Sequence, residues 1–187
     1  MKRIIMAAAL MLVTCAAYAE GETKFAAGIG AAFSDYDGDS SFPVSDSGLG
    51  LQLYAQVRAN SWFALEGGYY NSGDFSSEFV NVPGLDDGKY EMSLSGFNVS
   101  ALGIFPLSDG GLELYGKLGL YDYDINLTVP AGNSQLPGSL GHESGVFGGA
   151  GVLLNISDNI GIRTEALYYD ISNADLWSLN MGVQIEF

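Results

Sequence analysis

The chain has 187 residues, and its 22 acidic and seven basic residues give a formal net charge of −15. This excess of negative charge argues against nucleic acid or an anionic lipid surface as a partner held by bulk electrostatics. The length suits a single domain. Beyond residue 19 no run of 18 or more apolar residues occurs, so that part of the sequence contains no candidate for a transmembrane helix.

The first 19 residues have the pattern of a secretory signal peptide. Basic residues at 2–3 precede an apolar stretch at 4–13, and the sequence at 17–19 is a small-x-small cleavage site. The apolar stretch is shorter than the ~20 residues that a membrane-spanning helix needs. We predict a mature domain of residues 20–187. An alternative takes Cys15 as a lipoprotein acceptor, although the residue before it is larger than that motif usually carries.

Apolar and polar residues alternate in eight segments of the mature chain. This period of two is typical of strands with one apolar and one polar face. The second segment is the clearest, because Leu49, Leu51 and Leu53 share one face. Each segment is at least as long as the ~9–11 residues that a tilted membrane strand needs. The predicted strands span 24–34, 48–58, 62–72, 89–105, 112–123, 144–156, 160–169 and 175–187.

The fourth predicted strand has an ambiguous pattern. Tyr90, Met92 and Leu94 have one parity, whereas the apolar residues from Phe97 to Phe105 have the other. One interpretation places a bulge near residues 95–96, which would switch the phase of the strand. The other embeds only the second half of the strand in a membrane.

The connections between the predicted strands alternate in length. Long connections at 35–47, 73–88 and 124–143 are separated by short ones of three to six residues. Long loops on one side and short turns on the other are typical of outer-membrane barrels, whose long loops are extracellular. An even number of strands then places both termini in the periplasm.

Aromatic residues cluster near the ends of the predicted strands. Phe63, Phe105 and Phe187 lie near the short turns or the terminus. Two aromatic girdles that bound an apolar band indicate a barrel that crosses a bilayer. A soluble lipocalin-like barrel is the alternative, but it would need its bulky apolar face inside. The tyrosines assigned to the girdle at the long loops are Tyr69, Tyr70, Tyr121, Tyr123, Tyr168 and Tyr169.

Four segments carry a resemblance to a known family, at 62–69, 114–119, 163–165 and 182–187. Together with the strand pattern they resemble the OmpA/OmpX-like outer-membrane barrels. The resemblance covers the mature chain and implies an all-β fold, an eight-stranded antiparallel up-and-down transmembrane barrel. The periplasmic peptidoglycan-binding domain of the best-known member has no counterpart in this sequence, so that activity is not carried over.

The resemblance also implies a role for the last predicted strand, in which large apolar residues occupy every odd position from 177 to 187. In the OmpA/OmpX-like family the barrel-insertion machinery recognises the terminal strand. Val183, Ile185 and Phe187 are therefore the expected insertion signal.

Similar barrels carry acidic and basic residues in the lumen of corresponding strands. The resemblance therefore implies an internal ion-pair network of Glu66, Lys117, Arg163 and Glu165. An eight-stranded barrel is just wide enough for side chains to fill it. We expect the network to plug the barrel, and a gated small pore is the alternative.

Two further groups of residues could have a function, one as a hydrolase site and one as a cation site. His142, Glu143 and Ser144 include the residue types of a hydrolase, but consecutive residues on an extended chain point in different directions and cannot form a triad alone.

A second constellation, formed by Asp35, Asp37, Asp39 and Asp46, has the spacing of a calcium loop without its central glycine, so we expect a solvated acidic loop. With Asp86 and Asp87, the aspartates at 35, 37 and 39 would form an acidic outer rim that divalent cations bridge to lipopolysaccharide phosphates.

The sequence therefore predicts a monomeric outer-membrane protein with a structural or surface-interaction role. We expect it to support membrane integrity and to contact ligands or host surfaces through its loops. Its expected partners are outer-membrane lipids and lipopolysaccharide, with no nucleic acid, no cofactor and no enzymatic activity. A narrow channel for small solutes or ions is the alternative function, and a lipid A-modifying enzyme is a more remote one.

Overall fold

The structure is a computed structural model that describes residues 23–38, 45–79, 88–107, 111–128, 139–171 and 174–187. The predicted signal peptide lies outside these ranges. The elements are eight strands, β1 (Lys24–Gly38), β2 (Ser45–Asn60), β3 (Phe63–Phe79), β4 (Gly88–Pro106), β5 (Leu112–Thr128), β6 (Ser139–Asn155), β7 (Ile160–Ile171) and β8 (Ala174–Glu186).

The strands form one closed barrel in which each strand pairs antiparallel with the next. The β1–β8 ladder closes it, from Ala26 opposite Glu186 to Gly38 opposite Ala174. The predicted eight-stranded up-and-down barrel is thus confirmed. In the described ranges no helix has both the length and the apolar character to cross a membrane.

The alternation in the sequence sorts side chains between the outside and the lumen. On β8, Trp177, Leu179 and Met181 are about half exposed, whereas Ser178 and Asn180 are buried. The same division holds around the barrel, with Leu118 of β5 69 % exposed and its neighbour Lys117 4 % exposed. An apolar outer surface and an interior that holds buried charged and polar side chains differ from the arrangement of a lipocalin-like soluble barrel.

The strands are longer than predicted at the end that carries the long connections. β3 continues to Phe79 and β5 to Thr128, and β6 already begins at Ser139. These extensions lie beyond the apolar outer belt, where a strand no longer needs to alternate between apolar and polar residues. The period of two therefore ends before the hydrogen-bonded ladder does.

The ambiguity of β4 is resolved by its partner strand. The β4–β5 ladder runs without a register shift, and even-numbered residues such as Leu94 point inwards along the strand. The bulge predicted near residues 95–96 of β4 is therefore wrong. It lies instead on β3 between Asn71 and Asp74, where Gly73 adopts a positive φ of 76°.

The side chain of Ser72 stabilises this bulge on β3. Its hydroxyl accepts the Leu94 backbone N–H at 3.0 Å, and the Asn71 side-chain oxygen accepts the Gly73 N–H at 2.8 Å. Met92 and Leu94 have the inward parity of the strand and pack in the apolar cluster of the lumen at this level. The apparent phase change in the β4 sequence thus arises because its apolar residues face the lumen in the first half of the strand and the outer surface in the second half.

Candidate functional site

Four charged side chains meet in the middle of the lumen. Glu66 comes from β3, Lys117 from β5, and Arg163 and Glu165 from β7, each at a position whose parity points inwards. None of the four is more than 4 % exposed. These are the four residues that the resemblance implied, and the structure brings them together.

Each acidic side chain contacts both basic side chains. Lys117 Nζ lies 2.6 Å from Glu66 Oε1 and 3.4 Å from Glu165 Oε1. Arg163 Nη1 lies 2.5 Å from Glu66 Oε2, and its Nη2 lies 2.6 Å from Glu165 Oε2. The result is a closed ring of ion pairs with a formal charge of zero.

Neutral side chains complete the hydrogen bonds of the ion-pair ring. Arg163 Nε donates to the Tyr115 hydroxyl at 2.7 Å, which donates in turn to Glu165 Oε2 at 2.9 Å. Gln52 and Asn180 donate side-chain N–H groups to Glu165 Oε1 at 2.9 and 3.2 Å. Buried charges are tolerated when each is paired and hydrogen-bonded. The sequence predictions did not assign Tyr115, Gln52 or Asn180 to this network.

Aromatic rings pack together in the lumen on the side of the long connections. Tyr70, Tyr123 and Tyr169 are fully buried, with ring centroids 5.4 to 5.8 Å apart, and Phe147 stacks on Tyr169 at 5.1 Å. Tyr121 packs at the edge of this group. We call these five residues the aromatic layer.

The aromatic layer corrects the girdle predicted at this end of the barrel. Of the six tyrosines assigned to it, Tyr70, Tyr121, Tyr123 and Tyr169 are buried in the lumen. Only Tyr69 and Tyr168 have outward parity, where Tyr69 meets Phe97 at 5.5 Å and Tyr168 meets Trp177 at 4.9 Å. A tyrosine at a strand end suits both places, because it has an apolar ring and a polar tip. Strand parity is the feature of the sequence that distinguishes the inward-facing tyrosines from the outward-facing ones.

Apolar residues fill the lumen on the other side of the ion-pair ring. The cluster comprises Ala64, Leu102, Ile104, Tyr115 and Leu153. Below it Arg58 Nη2 lies 3.0 Å from Glu113 Oε1. From the short-turn end upwards, the described lumen thus contains an ion pair, an apolar cluster, the ion-pair ring and the aromatic layer.

The other predicted site residues lie outside the lumen. Val183, Ile185 and Phe187 point outwards and are 44 %, 45 % and 74 % exposed. The Phe187 backbone N–H donates to the Phe25 carbonyl at 2.7 Å, so the last residue is held against β1. Their role as an insertion signal stays a prediction.

The predicted acidic rim is partly described. Asp35 and Asp37 are exposed residues of β1, whereas Asp39, Asp86 and Asp87 lie outside the described residues. Because Asp35 and Asp37 belong to a β-ladder with β2, they do not form a calcium loop. No cluster of three or more metal-ligating side chains was found in the described ranges.

His142 lies on the outer face between two carboxylates. Its Nε2 contacts Asp122 and its Nδ1 lies 3.2 Å from Asp124 Oδ1, both on the neighbouring β5. Ser144 has no contact with His142 among the hydrogen bonds of the described residues, so the geometry does not orient a base on a nucleophile.

A closed barrel with an apolar outer belt and buried charged side chains in its lumen is a transmembrane β-barrel, because only a closed sheet leaves no unpaired edge in lipid. The chain belongs to the family described as "Outer membrane protein beta-barrel domain", whose model matches residues 5–187. It is therefore a protein of the Gram-negative outer membrane.

Solved structures share this fold at low sequence identity. OprG of Pseudomonas aeruginosa is 18 % identical, with 88 % of this chain and 95 % of that chain covered and a TM-score of 0.65. Ail, the attachment invasion locus protein of Yersinia pestis, solved with the heparin analogue sucrose octasulfate, is 18 % identical, with 89 % and 100 % covered and a TM-score of 0.63.

Neisserial surface protein A (NspA) is also 18 % identical, with 87 % of this chain and 97 % of that chain covered and a TM-score of 0.58. The search of curated proteins gave no significant match. These likenesses show the fold alone.

The apolar belt gives a depth-dependent prediction. Replacing Leu118, in the belt of β5, with arginine is expected to lower the free energy of unfolding in a bilayer by about 2–4 kcal/mol. The matched Ile156→Arg variant, next to a short turn and 62 % exposed, is expected to cost only about 0–1 kcal/mol. Urea unfolding in phospholipid vesicles measures both. Equal costs would contradict the assigned membrane depth.

Proposed function

We propose that this protein is a non-conducting outer-membrane barrel whose surface end performs its function. The ion-pair ring acts as a structural plug, supported above by the aromatic layer and below by apolar side chains. The observation that carries the proposal is the ring itself, in which Glu66, Lys117, Arg163 and Glu165 satisfy one another in the middle of the lumen. A solute or ion would have to break these pairs to pass.

Single-channel recording in planar bilayers tests the plug. The purified barrel is expected to give no steady current. The Glu66→Ala variant is also expected to stay silent, because the aromatic layer remains closed when the ring loses one carboxylate. Heat-dependent mobility in gel electrophoresis would show that both proteins are folded. A steady conductance of the folded wild-type protein would overturn the plug and favour the alternative function, a narrow channel.

The barrel presents carboxylates just beyond its outer aromatic residues. Asp37 and Asp170 are each directly opposite Asp175 in the ladders, and Tyr168 donates its hydroxyl to Asp175 Oδ1 at 2.5 Å. Like charges directly opposite one another destabilise a sheet. This surface disfavours polyanions such as the heparin analogue bound by Ail, and it favours lipopolysaccharide whose phosphates are bridged by divalent cations.

Removal of divalent cations should therefore weaken the barrel in its lipid. In bilayers that contain lipopolysaccharide and Mg²⁺, chelation is expected to lower the midpoint of thermal unfolding. The Asp175→Asn variant relieves the repulsion and should respond less to chelation. An unchanged midpoint for the wild-type barrel would contradict the bridging role. Since the described carboxylates do not form a metal cluster on their own, lipid phosphates must supply the remaining ligands.

The remaining predictions belong to the same proposal. Residues 1–19 are a signal peptide and 20–187 are the barrel, both termini face the periplasm, and the protein is a monomer. Val183, Ile185 and Phe187 form the signal that the insertion machinery reads. The protein has no catalytic role, and membrane integrity and contacts with ligands or host surfaces are its tasks.

A further inference from the structure

The single histidine of the sequence lies between two carboxylates on the outer face of the barrel. His142 of β6 is directly opposite Asp124 of β5, and Asp122 has the same outward parity two positions earlier on β5. The Nδ1 atom of His142 lies 3.2 Å from Asp124 Oδ1, and its Nε2 atom contacts Asp122 Oδ1. Both ring nitrogens therefore face a negatively charged group.

The protonation state of the ring decides whether this arrangement is favourable. A carboxylate only accepts hydrogen bonds, whereas a neutral imidazole has an N–H on one nitrogen and a lone pair on the other. A neutral His142 would thus direct a lone pair at one of the two carboxylates. Asp122 Oδ1 is buried and accepts no hydrogen bond from other described groups, so a lone pair against it would be costly. An imidazolium presents an N–H to each carboxylate.

A metal ion does not fit between the same three side chains. The two ring nitrogens point in different directions, so an ion bound to one nitrogen would be remote from the carboxylate that faces the other. Among the residues that the structure describes, no group of three metal-ligating side chains is placed to hold an ion. The chemistry that suits this place is therefore the binding of a proton.

The site is accessible to protons from water. Leu120 and Val146 occupy the neighbouring outward positions on the side of the apolar belt, where they are 57 % and 47 % exposed. His142 lies beyond this pair, towards the long connections, and its side chain is 47 % exposed. Its charge can therefore follow the pH of the medium at that end of the barrel.

The other charged groups around the site are acidic. Glu143 follows His142 on β6 and has inward parity, and Asp170 is an exposed residue near the end of β7. On the β4 side the two aspartates are opposite Phe97 and Ser95, which carry no charge. These surroundings favour a positively charged ring over a neutral one.

The position of His142 in the sheet gives its charge a structural consequence. The β6–β7 ladder ends at Phe147 opposite Tyr169, whereas β6 begins at Ser139. Within the described part of the chain, the first residues of β6 are therefore paired with β5 alone. The contacts of His142 add a side-chain connection between the same two strands.

We infer that His142 is held as an imidazolium between Asp122 and Asp124, and that this makes the end of the β5–β6 hairpin a proton-sensitive element. The ring stabilises the paired strands while it carries both protons, and this stabilisation is lost when alkaline pH removes one of them. Histidine ordinarily changes its charge between about pH 5 and 8. The hairpin is thus firmer in acid than in alkali, whether or not the barrel conducts.

The protonation of His142 is tested by NMR on the folded barrel in detergent micelles. Because the sequence contains one histidine, the side-chain nitrogen signals belong to this residue. At about pH 7 an ordinary histidine is mostly neutral. We expect a larger doubly protonated fraction in the wild type than in the Asp122→Asn, Asp124→Asn double variant. Equal fractions in the two proteins overturn the inference.

The effect on the hairpin is tested by hydrogen exchange of the backbone amides of residues 139–146. Protection relative to an unfolded chain is compared at about pH 5 and about pH 9, on either side of the usual histidine range. Wild-type protection is expected to be about two- to fivefold higher in acid, a modest factor because exposed ion pairs are weak. His142→Gln keeps a hydrogen-bond donor that does not titrate, so this variant should lose the dependence.

The amides of residues 147–155, which lie in the ladder with β7, serve as the internal reference. They are expected to keep the same protection at both pH values in both proteins. An equal pH dependence of residues 139–146 in the wild type and in His142→Gln, or none in the wild type, overturns the proton-sensitive element even if the ring is doubly protonated.

Discussion

Replacing Glu66 with alanine is expected to lower the free energy of unfolding by about 3–5 kcal/mol, because it removes one partner of a buried ion pair. Glu66 contacts both Lys117 and Arg163 within 2.6 Å. Without it, two cations share the single carboxylate of Glu165, and the buried ring carries a net positive charge. Urea unfolding followed by tryptophan fluorescence measures the loss, since Trp62 and Trp177 both lie on the outer face.

The compensating double variant separates charge balance from lost contacts. In Glu66→Ala with Lys117→Met the ring retains Arg163 and Glu165, which pair at 2.6 Å, and its formal charge returns to zero. Methionine has an unbranched apolar side chain that adapts to irregular spaces. We expect the double variant to recover at least half of the stability lost in Glu66→Ala. A double variant that is as unstable as the single one would show that charge imbalance is not the cause.

The resemblance to the OmpA/OmpX-like barrels implied the four residues of the ion-pair ring, and strand parity agrees with it. Each of the four has at least one outward apolar residue next to it in the chain, so a period of two points it inwards. The ladder then sets which of them meet, and the ring confirms that the inward positions of β3, β5 and β7 lie at one level. The neutral partners were missed because tyrosine, glutamine and asparagine occur equally well at other inward positions.

Features beyond the alternating segments could not be derived in the same way. The bulge at Asn71 to Asp74 depends on a Ser72 hydroxyl from β3 that accepts an N–H of β4, a contact between residues 22 positions apart. The strands continue past the alternating segments, to Phe79 on β3 and Thr128 on β5, so the sequence pattern did not give their ends. The aromatic layer was not predicted because tyrosine occurs both in membrane girdles and in buried lumens.

The aromatic layer gives the second large effect. Tyr169→Ala is expected to lower the free energy of unfolding by about 3–5 kcal/mol, the usual cost of removing a large aromatic ring from a core. Tyr169 is fully buried, and its ring lies within 5.1 to 5.8 Å of four other rings, measured between centroids. Its loss leaves a cavity in the middle of the layer that these rings cannot fill without leaving their own contacts.

Two phenylalanine variants separate ring packing from hydroxyl hydrogen bonds. The Tyr169 hydroxyl has no partner of acceptable hydrogen-bond geometry within the described part of the chain, so Tyr169→Phe is expected to leave stability unchanged or to raise it. Tyr70→Phe should cost about 0.5–1.5 kcal/mol, since its hydroxyl lies 2.5 Å from Ser34 Oγ and 3.4 Å from Ser178 Oγ. Urea midpoints in micelles compare all three variants. If Tyr169→Phe cost as much as Tyr169→Ala, the layer would be held by hydrogen bonds and not by the packing of its rings.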